Sequence, residues 1–200
     1  ELSVDHEHLN HQPGRLVAKV DGREMMEMRL PENQAGKFQS NQEEAKIQFS
    51  MDRDFTVSVE FSTKGRGTLF SKSPPEGKWA PNAKALFIKD GRLVYDIGWV
   101  GALSGGPNVS DGKTHHVLLN VRNGDSELFL DGKSVGKKKG FKAEDDPEHV
   151  FKIGASAPDF GFDWESGDIQ KLRFWKGGLR KLELNKVVKL DSNLKVQPSF

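Results

Sequence analysis

From residue 45 onward the chain alternates hydrophobic and polar positions with period two, and the alternation breaks at Gly, Asp and Asn. The longest run is Phe55-Thr56-Val57-Ser58-Val59-Glu60-Phe61, with Phe55, Val57, Val59 and Phe61 on one side. Successive side chains of a strand point to opposite faces, so this pattern predicts one face in a core and one toward solvent or a partner. Further runs read as strands at 45–49, 68–71, 85–88, 92–97, 117–121, 128–130, 151–154 and 167–175. Asp90-Gly91, Asn123-Gly124 and Asp131-Gly132 punctuate them. These pairs tolerate positive φ and favour two-residue hairpins. About ten short strands spaced roughly ten residues apart are the signature of an antiparallel β-sandwich. The expected core comprises Phe55, Val57, Val59, Phe61, Leu86, Ile88, Val117, Leu119, Val121 and Leu128.

The ends are less regular. Gly14 to Val20 carries a strand signal, and Met25, Met26, Met28 and Leu30 form an apolar cluster cut off by Pro31. The cluster reads as an edge strand or a core-covering loop. Residues 144–148 read as a short helical turn. Residues 179–190 mix Leu and Val with strong helix formers, which allows a helix.

Four phrases then acquire a common meaning. They are FTVSVEFSTKGRGTLF from Phe55, ALFIKDGRLVYDIGWVG from Ala85, DGKTHHVLLNVRNGDSELFLDGKSVG from Asp111, and the segment from Phe151 to Trp175. Their order and turn positions resemble the laminin-G-like domains of the concanavalin A-like lectin superfamily, of the type appended to large bacterial exported proteins. Thr114 stands where that family usually has Trp. The resemblance implies an all-β, two-sheet antiparallel jelly-roll sandwich. It covers about residues 45–178, so residues 1–200 are expected to form one such domain, with 1–40 and 180–200 as flanking segments. For residues 179–190 it implies a terminal strand with a tail as the alternative to a helix.

Composition narrows the function. With 30 basic and 29 acidic residues the net charge is +1, which argues against a nucleic-acid partner. Lys137-Lys138-Lys139 reads as a solvated turn. There is no Cys, so disulfides and thiolate chemistry are excluded. No apolar run approaches the roughly 20 residues of a membrane span. The chain begins at Glu1 and reads as a mature or trimmed fragment, with an extracytoplasmic location expected: secreted, periplasmic or on the cell surface.

Lectin-fold glycosidases that retain configuration carry a Glu-x-Asp-x-(x)-Glu strand, which sets two carboxylates about 5 Å apart. Glu144-Asp145-Asp146-Pro147-Glu148 matches only in part, and Pro with adjacent charges does not suit a central strand. It reads as an acidic loop. Of the six histidines, His6, His8 and His11 have ligand-like spacing near a terminus, and His115-His116 opens a strand with one ring inward and one outward. No cofactor is required by these residues. Calcium is the metal the resemblance brings, and Asp96, Asp111, Asp159 and Asp163 are its candidate ligands.

Aromatic side chains are the strongest candidate carriers of function, because sugar rings present C–H faces that stack on indoles. Trp79 lies in a Pro-rich loop, Trp99 in a Gly-rich loop and Trp164 in a loop after Phe160-Gly161-Phe162. Asp96, Asn108, Asp163 and Glu165 lie close to them in sequence and could hydrogen-bond sugar hydroxyls. The expected function is a non-catalytic carbohydrate-binding module whose partners are a polysaccharide or glycan and other domains of a larger parent protein. A protein-interaction or structural module, and a lectin-fold glycoside hydrolase or polysaccharide lyase, are the alternatives.

Overall fold

The alternating segments become two antiparallel sheets packed face to face. The protein is described by a computed structural model that covers residues 14–20, 23–30 and 37–193, with only the backbone path described for 14–20 and 188–193. His6, His8 and His11 lie outside the described residues. The seven-stranded sheet runs β1 (Gly14–Val20), β2 (Arg23–Arg29), β13 (Asp168–Lys176), β4 (Phe55–Ser62), β9 (Thr114–Arg122), β10 (Asp125–Leu130) and β11 (Lys133–Lys138). The six-stranded sheet runs β3 (Phe38–Gln39), β12 (Val150–Ile153), β5 (Gly67–Ser73), β6 (Lys84–Lys89), β7 (Arg92–Ile97) and β8 (Gly101–Gly105).

Registry explains why the alternation is strict. Met26, Phe174, Val57, Leu119 and Leu128 face one another in a row across five strands, and all are buried. A slip of one residue in any strand would turn its member of that row to the other face. All ten expected core residues are buried at 1% exposure or less. Between the sheets, Phe49 stacks on Phe151 at 4.2 Å and meets Phe174 edge-on at 5.7 Å. Asp90, Asn123 and Asp131 all adopt positive φ with a following Gly, as two-residue hairpins require.

Four readings are corrected. The apolar methionines form β2, which is not an edge strand: β1 and β13 flank it on either side. Ala45 to Phe49 is not a strand; α1 (Gln42–Ile47) occupies most of it. Asn41 and Glu44 form a reciprocal capping box there. Ala45 and Phe49 are four residues apart and both buried, whereas Ile47 is 56% exposed. Over five residues, period two and one helical turn place the same two side chains inward. Residues 144–148 form no helix: 144–146 are irregular, and a turn at 147–148 is closed by His149 N donating to the Asp146 carbonyl at 3.0 Å. His115 and His116 point to opposite faces, yet both are 8% exposed, so the outward ring is covered too.

The open choice at the C-terminal end resolves as a helix, α2 (Lys181–Asn193). Leu184 and Val187, three apart, pack with Leu179 against Met25, Leu118 and Trp175 on the outer face of the seven-stranded sheet.

Candidate functional site on the outer face of the six-stranded sheet

The outer face of β6, β7 and β8 is set by alternation. Leu93, Tyr95 and Ile97 enter the core, which leaves Val94 and Asp96 pointing outward. Strand pairing sets Ala85, Asp96 and Ala102 in one row and Phe87, Val94 and Ser104 in the next. Asp96 therefore stands between two alanines on the floor of a trough. It is half-buried and has no hydrogen bond or ion pair among the described residues. Burial pushes its carboxyl above the usual carboxylate range, opposed by the Lys138 ammonium. That ammonium lies 4.1 Å over the Phe141 ring and donates to the Ala102 carbonyl at 3.2 Å.

An aromatic ridge borders the trough. Trp79 packs on Phe160 at 4.2 Å, Phe160 meets Phe87 edge-on at 5.0 Å, and Phe87 meets Phe162 at 4.7 Å. The Arg66 guanidinium lies 5.5 Å over Phe162 and donates to Glu165 at 2.7 Å. The loop that carries Phe160 and Phe162 is tied down where Thr68 donates from both its backbone N and its hydroxyl to the Phe162 carbonyl, each at 2.6 Å. Gly67 allows this crossing: its φ is +147°, and a Cβ there would sit 2.5 Å from the Trp164 Cα. At the other end of the loop Asp159 accepts from the Trp79 backbone N at 2.6 Å.

The β7–β8 turn closes the same end of the trough. Val100 N donates to the Ile97 carbonyl at 2.9 Å, which makes Gly98 and Trp99 the central residues. Trp99 holds φ +63°, a conformation that disfavours a bulky side chain, and is 73% exposed. The glycine cannot simply exchange places with it, because a Cβ at Gly98 would lie 2.2 Å from the Ala80 carbonyl. That same Cβ would lie 3.2 Å from Trp79 Nε1, so both indoles flank one turn. The Trp79 ring N–H has no partner among the described residues. An unpaired donor, an unpaired acceptor and an exposed indole are what a polyol ligand can use.

Of the seven expected ligand-binding residues, the fold brings Trp79, Trp99 and Asp96 together. Trp164 does not join them. It is 5% exposed, lies edge-on to Phe61 at 6.2 Å and donates from Nε1 to the Gly167 carbonyl at 3.0 Å. A loop tryptophan folds inward here because the loop crosses the mouth of the sandwich. Asn108 sits beside Gly91, at the opposite end of β7 from Trp99, and accepts from Ser110 N. Glu165 is paired with Arg66, and Asp163 lies 3.9 Å from Lys37. The calcium candidates scatter as well. Asp111 pairs with His115 at 3.0 Å, Asp159 holds Trp79, and no group of three or more acidic or His side chains is placed to hold a metal ion among the described residues.

Sequence reasoning missed Phe87, Phe160 and Phe162. Phe87 reads as the outward residue of a strand, and nothing local announces the loop that covers it. It also missed a buried charge cluster at one end of the sandwich. Asp145, within the stretch that reads as an acidic loop, accepts from Lys84 at 2.7 Å and also pairs with Lys72. The lysine clue was visible: Lys72 and Lys84 fall on inward positions of β5 and β6. An open depression of about 520 Å³ is lined by Ser50, Arg53, Asp54, Lys142, Lys176 and Gly177.

The sheet order and the packing of the two layers settle the architecture. The fold is a lectin-like jelly roll. Solved structures with this arrangement include the CBM40 of the Ruminococcus gnavus IT-sialidase, at TM-score 0.63 and 14% identity over 81% of this chain and 96% of that one. The same module bound to alpha2,3 sialyllactose superposes at TM-score 0.64. The leech intramolecular trans-sialidase matches at TM-score 0.60 and 16% identity, over 81% of this chain but 27% of that one. At these identities the likeness is one of fold. No family model matches the chain, and no curated protein matches it by sequence.

Proposed function

We propose that this chain is a non-catalytic carbohydrate-binding module whose ligand lies along the trough between the aromatic ridge and the β7–β8 turn. Trp99 carries the reading. A bulky residue held in the left-handed region and left 73% exposed costs stability without packing in return. A stacking platform for a sugar ring supplies a reason for that cost. Trp79 contributes a second indole and a ring N–H that has no partner among the described residues, and Asp96 contributes an acceptor. The likeness in fold to a module whose structure holds sialyllactose supports glycan binding as the class of activity. The module serves as one part of a larger exported bacterial protein and works outside the cytoplasm.

The test is a glycan-array screen of the intact chain, followed by calorimetric titration of the best glycan against the parent and Trp99→Ala. The expected result is measurable binding by the parent and a loss of about fivefold or more in the variant, since one stacked aromatic contributes on the order of 1 kcal/mol or more. A parent that binds no glycan on the array, or a variant that binds as well as the parent, would overturn the proposal.

A further inference from the structure

The trough floor carries a carboxylate that no described residue hydrogen-bonds or ion-pairs. Ala85 and Ala102, the cross-strand neighbours of Asp96, have no side-chain donors, and neither has Val94, the next outward residue of β7; Ser104, in the next row on β8, and Arg92, farther along β7, form no hydrogen bond or ion pair with Asp96. Lys138 is the cation whose charge Asp96 feels, and its ammonium is held over Phe141 and on the Ala102 carbonyl. The guanidinium of Arg66 lies at the Phe162 end of the ridge, already engaged by Glu165. A half-buried carboxylate without donors is poorly solvated, and a ligand that brings donors to it gains what water supplies only in part.

Resting on the glycan-binding reading above, we propose that Asp96 determines specificity at this site: it selects neutral or amino sugars and rejects sugars that carry a carboxylate or sulfate. Vicinal hydroxyls can donate two hydrogen bonds to its two oxygens. A protonated amine adds charge attraction to the same geometry. An acidic group in that place would set two anions together in a region of reduced dielectric, where repulsion is strong. The choice differs from that of the sialyllactose-bound fold neighbour, because it follows from this chain's own floor residue and not from the fold.

The experiment uses the intact chain on an array that holds neutral, amino and acidic glycans. Neutral or amino sugars should form the bound set. Their affinity should drop about fivefold or more in Asp96→Asn, and a second variant, Asp96→Ser, should behave alike. Acidic glycans should gain relative to their neutral counterparts in both. Melting temperatures equal to or above the parent's would show that both variants fold. If the parent prefers acidic glycans, or if both variants bind the parent's best glycan within twofold of the parent, the specificity role is wrong while glycan binding stands. If the parent binds no glycan at all, both proposals fall together.

Discussion

Lys84 Nζ lies 2.7 Å from Asp145 Oδ1, and the two side chains are only 1% and 8% exposed. Lys72 occupies the facing register position on β5 and reaches the other Asp145 oxygen. Lys72 Nζ also donates to the Ala45 and Phe49 carbonyls at 2.8 and 2.9 Å, which ties α1 and the chain after it onto the sheet. Burial raises the Asp145 carboxyl, but the two ammonium groups overcome it and hold the group below its usual range; at Lys72 burial wins over pairing and lowers the ammonium. Removing one partner of such a cluster leaves uncompensated buried charge. Asp145→Ala should therefore cost about 3–5 kcal/mol. At roughly 2–4 °C per kcal/mol for a chain of this size, the melting temperature should fall by about 6–20 °C. A thermal melt within about 2 °C of the parent would mean that water reaches these lysines.

Glu183 provides a pH signature. It accepts from Arg180 through Nη2 at 3.1 Å and the backbone N at 2.6 Å, and from Arg23 Nε at 3.2 Å. The Arg180 hydrogen bonds above all pull its carboxyl from 4.5 down to about 2. A carboxyl that is more acidic when folded stabilises the fold above its unfolded value. That stability is lost as pH falls from about 4.5 through about 2. Denaturant melts of the parent across this window should lose stability more steeply than those of Glu183→Gln. Parallel curves for the two would refute the arrangement at the start of α2.

Leu119 is the fourth member of the five-strand row, between Val57 and Leu128, with no exposed surface. Leu119→Ala should cost about 2–5 kcal/mol in equilibrium unfolding. A loss below about half a kcal/mol would place the β9 face the other way round.

Trp99 and Trp164 should separate function from stability. Trp99→Gly relieves a left-handed backbone that costs a side-chain-bearing residue about 1–2 kcal/mol, less the added chain entropy of glycine. Its melting temperature should hold or rise by up to a few degrees while glycan affinity falls. Trp164→Ala should do the reverse and cost about 3–5 kcal/mol, as large core aromatics do. Differential scanning calorimetry paired with glycan titration reads both quantities on each variant. A destabilised Trp99→Gly would show that the exposed indole packs against the protein.

The period-two pattern was enough for the strands with strict alternation, such as β4, β7, β9 and β10, and for the turns between them; it did not mark β8, whose Gly-rich sequence reads as a loop, or β11, whose Lys137-Lys138 reads as a solvated turn. The strands and turns it marked depend on neighbours one or two residues away: alternation sets the face, and Asp-Gly or Asn-Gly supplies the positive φ of each hairpin. It failed at Ala45 to Phe49, where five residues cannot distinguish a helical turn from a strand and Asn41 with Glu44 decided in favour of the helix. The candidate site was legible only in its residue types. Trp79, Trp99 and Asp96 meet because β6, β7 and β8 pair in a particular register and because the loop through Phe160 folds back over Phe87. Trp164, with the same local sequence character, was drawn into the core by that same loop crossing. Asp145 looked like a surface acid until β5 and β6 set two inward lysines beside it. Side-chain direction follows from local alternation, whereas which loops cross which face follows from burial summed over the whole molecule, and no single stretch of sequence carries that sum.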